Sequence, residues 1–152
     1  IPIVDGPYVP KLGCVYHLPY KDNIADDYFS TRWFTNTYKR LKGKEMRGVK
    51  EMAALASSDK IVREIFESFG KDLGIFLAPW LKKFRAEIIV VGGNISYAYD
   101  LFGDSFEESL IKEGCKCKVA ISELKEDAAL IGSAYLLDQV FWKSIQHALR
   151  LM

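Results

Sequence analysis

The feature that most constrains the fold is a short β-branched run that ends in two glycines. It is the segment Glu87-Ile88-Ile89-Val90-Val91-Gly92-Gly93-Asn94-Ile95-Ser96. An unbroken apolar run bounded by turn residues is typical of a strand buried on both faces, as in a parallel sheet covered by helices. The two glycines predict a sharp bend followed by a helix, for which Asn94 or Ser96 is the expected N-cap.

This glycine bend has two interpretations. The free N–H groups and the positive dipole end of a helix start suit a phosphate or a polar nucleotide group. The alternative is that the glycines only make a tight turn between strand and helix. Because a lone Gly-Gly pair is a weak motif, the pattern by itself favours this second interpretation.

Composition excludes several classes of protein. A chain of 152 residues suits one domain or one lobe of a larger protein, and its 49% apolar content is ample for a folded core. The net charge of +1, with acids and bases interspersed, gives no argument for nucleic-acid binding. No apolar run approaches the length of a membrane span, and no secretory signal opens the chain. Because the chain begins at Ile1 rather than Met, we expect it to be processed or cut from a longer protein.

Three cysteines, Cys14, Cys115 and Cys117, are too few and odd in number for a disulfide framework, so a reducing cytoplasm is the expected location. Cys115 and Cys117 are separated by one residue at the start of an expected strand, and so should share one face. Zinc sites normally show paired, spaced ligands, which this chain lacks. We therefore interpret the three as free cysteines and predict no metal site.

Hydrophobic periodicity and turn residues divide the first half of the chain into four elements. We predict an edge strand at residues 13–17, a helix with an aromatic stripe at 24–41, a short helix at 48–56 and a long helix starting at Asp59. Gly43 is expected to end the first of these helices.

Three residues inside the long helix are unusual there. Gly70 and Gly74 cost helix stability, which predicts close packing on a neighbouring element. Pro79 is expected to kink or end the helix.

After the glycine bend we predict a short helix at 97–102 broken at Gly103, and another starting at the capping-box pattern Ser105-Phe106-Glu107-Glu108. A strand at 117–121 and a helical region from Glu126 to the end follow. Small residues in that last region predict close helix contact. The alternation of helices and strands indicates a single α/β domain over 1–152, with a parallel strand pair and a right-handed crossover.

Several segments, taken in order, resemble one family. They are Phe69-Gly70, Leu73-Gly74, Leu77-Ala78-Pro79, Ile88 to Asn94, Ser122-Glu123-Leu124 and Asp127-Ala128-Ala129-Leu130-Ile131-Gly132-Ser133-Ala134. Together they resemble the C-terminal lobe of the ROK family of repressors, open reading frames and sugar kinases, over roughly residues 14 to 137. The resemblance implies an α/β fold, the C-terminal lobe of the actin-like ATPase (ribonuclease-H-like) fold, with short parallel strands and several packed helices. It also implies that this chain is the C-terminal half of a longer ROK-type protein.

The resemblance gives the glycine bend a role. In ROK kinases the matching glycine turn closes over the adenosine and phosphates of ATP. By this resemblance Gly92, Gly93 and Asn94 are assigned to the nucleotide, with Asn94 standing where the family often has a third glycine. The implied cofactors are ATP and Mg²⁺.

The sugar-binding motif is only partly present. The family's Glu-x-Gly-His segment aligns with Cys14-Val15-Tyr16-His17, where His17 matches while Cys14 replaces the Glu and Tyr16 the Gly. A further family Glu aligns with Asp26. The resemblance therefore implies that His17 and Asp26 bind sugar hydroxyls. Without a ligand, His17 would be a histidine at a strand end and Asp26 an acid stabilised by a helix dipole.

Other parts of the family pattern are absent. The zinc motif Cys-x-Cys-Gly-x-x-Gly-Cys does not occur, so we predict no structural zinc. In ROK kinases the Asp-x-Gly-Gly-Thr phosphate loop and the catalytic Asp lie in the N-terminal half, and no motif here matches either. Phosphoryl transfer needs a base for the sugar hydroxyl and donors for the phosphates, so we name no catalytic residue and expect this chain alone to be inactive.

Three hypotheses for function follow. The chain is the nucleotide- and sugar-binding portion of a hexose kinase whose N-terminal lobe lies elsewhere in the protein. Alternatively, it is the sugar-sensing, dimerising domain of a ROK transcriptional regulator, in which DNA would be contacted by an upstream helix-turn-helix region. Finally, it is an oligomerisation module without a ligand, which the apolar final helix would suit. The resemblance implies a homodimer in the first two cases.

Overall fold

The computed structural model describes residues 6–124 and 127–150. Its N-terminal part is a 3-10 turn at Lys11–Gly13 followed by a hairpin of two short antiparallel strands, β1 (Pro19–Tyr20) and β2 (Asn23–Ile24). The predicted edge strand at 13–17 is wrong. The backbone there bonds to the start of the next helix instead, because the carbonyl groups of Tyr16 and Leu18 accept the N–H groups of Asp26 and Ala25, each at 2.9 Å.

The aromatic helix predicted at 24–41 is two helices, α1 (Ala25–Tyr28) and α2 (Thr31–Lys42). The chain is extended at Ser30, and the Phe29 ring packs against Tyr20 and Phe76 with ring centroids 5.2 Å apart in each pair. Packing of Phe29 on residues distant in sequence accompanies this break. Gly43 ends α2 as predicted, in the left-handed conformation (φ 68°), with its N–H donating to the Lys39 carbonyl.

The next two helices confirm the sequence pattern. They are α3 (Val49–Leu55) and α4 (Lys60–Phe84), and the Asp59 carboxylate caps α4 by accepting the Ile61 N–H at 3.0 Å. Pro79 does not end α4, which continues to Phe84 and stops where Arg85 turns left-handed.

Strands β3 (Ile88–Val91) and β4 (Lys118–Ile121) form the predicted parallel pair, with Ile88 opposite Lys118 and Val91 opposite Ile121. They are connected by a 3-10 turn at Asn94–Ala98 and one helix, α5 (Tyr99–Lys112). The predicted break at Gly103 and the new start at Ser105 are wrong. The Ser105 hydroxyl donates to the Phe102 carbonyl inside α5 rather than capping a new helix.

The prediction that the β3 strand is buried on both faces is also wrong. Ile88 and Val90 are 54% and 58% exposed, while Ile89 and Val91 pack against the core. Within the described residues, therefore, one face of the parallel pair is covered and the other is open.

The core lies where α4 packs on α5, with α2 and α3 beside them. A side chain at Gly74 would stand 2.6 Å from Ser109 Cβ and 2.7 Å from the Phe106 carbonyl oxygen, and one at Gly70 would overlap the Phe102 carbonyl. The predicted close packing of these glycines is confirmed. The largest fully buried side chains are Phe34, Phe66, Phe102, Phe106, Met52 and Val62.

The last region contains two helices, α6 (Asp127–Tyr135) and α7 (Gln139–Leu149), separated where the Asp138 carboxylate accepts the Phe141 N–H at 2.7 Å. Glu126, the predicted start, lies outside the described residues. The close helix contact predicted for the small residues is not made, since α6 buries no side chain and a side chain at Gly132 would meet nothing within 4 Å. Among the described helices, none is both long and apolar enough to cross a membrane.

Candidate functional site

The predicted nucleotide-binding residues form a turn at the carboxyl ends of the two parallel strands. Gly92 and Gly93 follow β3, and Ser122 follows β4 beside them, with its N–H donating to the Val91 carbonyl at 2.8 Å. Gly93 has φ 68° and ψ −170°, a conformation that residues with a side chain rarely adopt. The second glycine is therefore required by the path of the backbone.

The turn leaves space in front of its backbone. A side chain at Gly92 would lie 3.5 Å from Ser122 Cβ, an ordinary contact, and one at Gly93 would meet nothing within 4 Å. Gly93 and Asn94 are exposed. A ligand can therefore approach the main chain of Gly93 closely, which is the property that a nucleotide turn needs.

The predicted helix cap at this turn is wrong. Ser96 is buried, and its hydroxyl and N–H both donate back to the Gly93 carbonyl, at 2.8 and 3.1 Å. The residue that precedes α5 is Ala98, so neither Asn94 nor Ser96 caps that helix. The backbone turn itself, held by Ser96, is thus the candidate site, rather than the dipole of α5.

The predicted sugar-binding residues lie near each other in the N-terminal part. His17 is half-buried, with Nδ1 3.7 Å from Cys14 Sγ and its ring edge-on to Tyr16 at 5.2 Å. The N–H of Asp26 donates to the carbonyl of Tyr16, the residue before His17. The fold therefore brings the segments of His17 and Asp26 together, as a shared sugar site requires.

The carboxylate of Asp26 has a cationic partner that the sequence did not indicate. Arg32 Nη2 is 3.0 Å from Asp26 Oδ2 and 3.3 Å from Asp27 Oδ1. A charge-assisted contact of this kind fixes a carboxylate in orientation while one oxygen remains for other donors. Arg32 is thus an ion-pair partner of Asp26, and its spacing of six residues across the α1–α2 break conceals the pair in the sequence.

The hairpin between His17 and Asp26 is anchored to α4. Lys21 Nζ contacts the Asp72 carboxylate and lies 5.2 and 5.4 Å from the rings of Tyr20 and Tyr28. The Tyr20 hydroxyl donates to the Asp72 carbonyl at 3.3 Å, and burial, followed by the charge of Asp72, raises the pKa of Tyr20. Both predicted sugar residues therefore flank a hairpin held on the longest helix of the fold.

Sequence reasoning missed the place of Ser122 in the glycine turn. Ser122 belongs to a segment that carried the family resemblance but had no role assigned. Because β3 and β4 are parallel, the residues just after each strand must meet at one edge of the pair, which would have placed Ser122 beside Gly92.

The arrangement offers groups that suit a phosphate and sugar hydroxyls, whereas none of the described residues matches the family's phosphate loop or catalytic Asp. Backbone groups at the glycine turn suit phosphate or nucleotide, and His17 with Asp26 suits hydroxyl groups. Within 6–124 and 127–150, no three His, Cys, Asp or Glu side chains cluster in a way that would hold a metal ion. Mg²⁺ is commonly held through substrate phosphates and one or two carboxylates rather than by a closed set of protein ligands.

Comparison with known proteins identifies the fold. A protein from Cytophaga hutchinsonii ATCC 33406 that was proposed to be a sugar kinase superposes with a TM-score of 0.74 at 17% identity, over 89% of this chain and 50% of its own. A ROK family glucokinase from Streptomyces griseus, solved with glucose and AMPPNP, superposes with a TM-score of 0.64 at 21% identity, over 88% of this chain and 49% of its own. The chain thus spans about half the length of both proteins. Among curated proteins, none matches the sequence.

These superpositions establish the fold, which is that of the actin-like ATPases with short parallel strands and several packed helices. The ROK family model matches residues 18–140, which is most of the sequence. The chain belongs to the ROK family.

Proposed function

We propose that this chain is the nucleotide- and sugar-binding portion of a ROK-type sugar kinase, which in the intact protein transfers a phosphoryl group from ATP to a hexose. Gly92, Gly93 and Asn94 bind the nucleotide, and His17 and Asp26 bind sugar hydroxyls. The phosphate loop and the catalytic base come from the N-terminal lobe of the same protein.

One observation carries the proposal. The open backbone turn at Gly92 and Gly93 stands at the carboxyl ends of two parallel strands, and a Cβ placed on Gly93 would meet nothing within 4 Å. Ligands of α/β folds bind beyond the carboxyl ends of the strands, where the loops converge. The glucokinase neighbour was solved with glucose and AMPPNP, which supports sugar and ATP as the ligand classes here.

The nucleotide part is tested by calorimetric titration of the intact protein with ATP and Mg²⁺. Gly93→Ala places a methyl group in the space where the nucleotide would lie. We expect the Kd for ATP to rise at least tenfold, which corresponds to ~1.4 kcal/mol.

Gly43→Ala is the control for a side chain added at a left-handed glycine away from the turn. Gly43 has the same φ of 68° and also has nothing within 4 Å, but its ψ is 11° whereas that of Gly93 is −170°, which is more strained for alanine. Thermal melts of both variants therefore accompany the titrations, so that a loss of folding is separated from a loss of ATP affinity. Equal effects of the two variants on ATP affinity, or no ATP binding by the wild-type protein, would show that the glycine turn is not a nucleotide site.

The sugar part is tested with Asp26→Asn and Asp27→Asn. Both carboxylates contact Arg32, but only Asp26 is proposed to bind sugar. Loss of a hydrogen bond to a charged group is worth ~1.5–3 kcal/mol, so Asp26→Asn should raise the KM or Kd for the hexose by roughly 10- to 100-fold. Asp27→Asn should leave it within about twofold. An equal loss of hexose affinity in both variants would indicate that the contacts of Arg32 with the two carboxylates affect only the stability of the fold.

The regulator and kinase hypotheses share the same proposed sugar site. They differ in whether ATP is turned over once the sugar is bound. A regulator would bind the hexose through His17 and Asp26 without turning over ATP. Sugar binding by the intact protein with no phosphorylated product, in the presence of ATP and Mg²⁺, would favour the regulator.

The apolar surface of α6 and α7 fits an assembly larger than this chain. Leu137 and Val140 are 85% and 79% exposed, and exposed apolar patches of this kind mark interaction sites. We propose that the N-terminal lobe and the partner subunit of a homodimer cover the exposed apolar side chains of α6 and α7.

A further inference from the structure

Cys115 and Cys117 lie together where α5 returns to the sheet. The N–H of Cys115 donates to the Leu110 carbonyl at 2.8 Å, which fixes the chain as it leaves α5, and β4 begins at Lys118. Cys115 is 4% exposed and belongs to the core, whereas Cys117 is half-buried. Their Sγ atoms are 3.5 Å apart. The sequence placed the two thiols on one face, and the fold brings the sulfur atoms into contact.

The pair lines a cavity that opens on the side of α5. The cavity has a volume of about 230 Å³, and its walls include Glu107, Leu110, Ile111, Cys115, Cys117 and Val119. Both cysteines line this cavity, and Ile111, which also lines it, is 72% exposed. The cavity therefore provides a route for a small molecule to the cysteine pair, in which Cys115 is the more buried member.

The distance between the sulfurs defines what they can hold together. For a bond length of ~2.3 Å, as in metal–thiolate bonds, two sulfurs 3.5 Å apart subtend ~100° at a shared atom. That angle suits a pyramidal or tetrahedral centre and excludes a linear two-coordinate one. Thiol sulfur is a soft ligand and selects soft, thiophilic centres.

The number of protein ligands further limits which kind of centre the two sulfurs can bind. Within the described residues, no third His, Cys, Asp or Glu joins the pair in a metal-holding group, so the protein offers two sulfurs and not a closed tetrahedral set. A monosubstituted trivalent arsenical already carries one carbon and needs only two sulfurs to complete a pyramidal centre. We propose that Cys115 and Cys117 form a dithiol site that binds such a thiophilic trivalent centre.

The binding step is balanced without an oxidant or a reductant. Phenylarsine oxide has an arsenic–oxygen bond, which breaks as two arsenic–sulfur bonds form. The two thiol protons leave with the oxygen as one molecule of water. The oxidation states of arsenic and sulfur do not change.

Phenylarsine oxide is also the probe for the test, with the intact protein and intact-mass spectrometry. The wild-type protein should retain one phenylarsenic group per chain after washing with an excess of 2-mercaptoethanol, and release it to dithiothreitol. Because a ligand of the folded state stabilises that state, the adduct should also raise Tm. Cys115→Ser and Cys117→Ser should each lose the retained adduct.

Cys14→Ser is the matched control, because Cys14 neighbours His17 rather than another sulfur. It should keep the adduct in full. Since a hydroxyl at the buried Cys115 position can destabilise the fold, Cys115→Ala is measured beside it, and thermal melts confirm that each variant is folded. Retention by folded Cys117→Ser or Cys115→Ala, or release of the wild-type adduct by 2-mercaptoethanol, would overturn the proposal.

Discussion

At the scale of single residues, Asp59 has two partners that connect α2 to α4. One carboxylate oxygen accepts the Ile61 N–H and caps α4, and the other lies 2.9 Å from Lys42 Nζ in the last turn of α2. The hydrogen bond from Lys42 lowers the pKa of Asp59, and the bond to Asp59 raises the pKa of Lys42. Both shifts favour the charged pair in the folded state, and they predict how stability depends on pH.

Asp59→Asn keeps an oxygen for the cap but removes the charge, so its effect reports on the ion pair. A folded pKa below the unfolded value of ~3.9 gives stability that is present above that pH and lost as the pH falls through the folded pKa. The raised pKa of Lys42 gives stability that is present below ~10.4 and lost as the pH rises through its folded value. We expect Asp59→Asn to lower Tm slightly at pH 7, since the pair lies at the surface.

The measurement is thermal unfolding of the wild type, Asp59→Asn and Lys42→Gln over the whole pH range. The difference in Tm between the wild type and either variant should disappear in strong acid and in strong base. A gap that stays constant across the range would mean that these substitutions act through packing or capping instead.

At the scale of the elements, the contact between α4 and α5 decides the architecture. It depends on Gly70 and Gly74, where the backbone of α5 comes closer than any side chain would permit. Gly103 and Ser105, which the sequence marked as a break and a start, lie inside α5. There the ring of Tyr99 covers Gly103, and the Tyr99 hydroxyl donates to Glu107 at 2.6 Å.

Gly70→Ala should therefore separate the two helices and lower the free energy of unfolding by ~1–3 kcal/mol, the usual cost of overpacking. Gly132→Ala in α6 is the comparison, because nothing lies within 4 Å of a side chain there. Alanine is the better helix former by ~1 kcal/mol, so Gly132→Ala should not lower stability. Urea unfolding measures the free energy of unfolding of both variants. If Gly70→Ala were as stable as the wild type, α4 and α5 would be able to move apart at no cost in free energy.

At the scale of the whole molecule, the described part of the chain leaves apolar side chains uncovered on β3 and on the C-terminal helices, among other places. Ile88 and Val90 face outward on β3, and α6 exposes Leu130 at 73%. Leu137 and Val140, beyond the end of α6, are exposed as well, and clustered exposed apolar side chains are typical of interaction surfaces. The chain also spans about half the length of the two sugar kinase-like structures it resembles. We therefore expect the chain alone to self-associate.

Leu137→Glu and Val140→Glu should each weaken this association by about tenfold or more, since burial of one such side chain is worth ~1.5–3 kcal/mol. Gln139→Glu adds the same charge in the same segment without removing apolar surface, and should have little effect. Sedimentation velocity over a range of concentrations measures all three. If the three variants behave alike, charge rather than apolar contact governs the association.

The sequence by itself determined most of the local structure. The strand before Gly92, the left-handed end at Gly43, the Asp59 cap and the long helix α4 each follow from residues within a few positions of one another. The glycine bend, His17 and Asp26 were also visible in the sequence, because a family motif is a matter of residue type and spacing. The nucleotide and sugar roles of those residues stay predictions.

Only the tertiary structure decided how the elements pack and which side chains come into contact. In the folded protein the predicted first helix is interrupted at Phe29 and α5 is continuous through Gly103. The Ser96 hydroxyl donates a hydrogen bond to the Gly93 carbonyl. The tertiary structure also left one face of β3 open, paired Asp26 with Arg32 and brought the two thiols to 3.5 Å. For the divided helix and the continuous α5, the physical reason is packing. Propensities and caps are each worth about 1 kcal/mol, whereas burial of one large apolar side chain is worth ~1.5–3 kcal/mol.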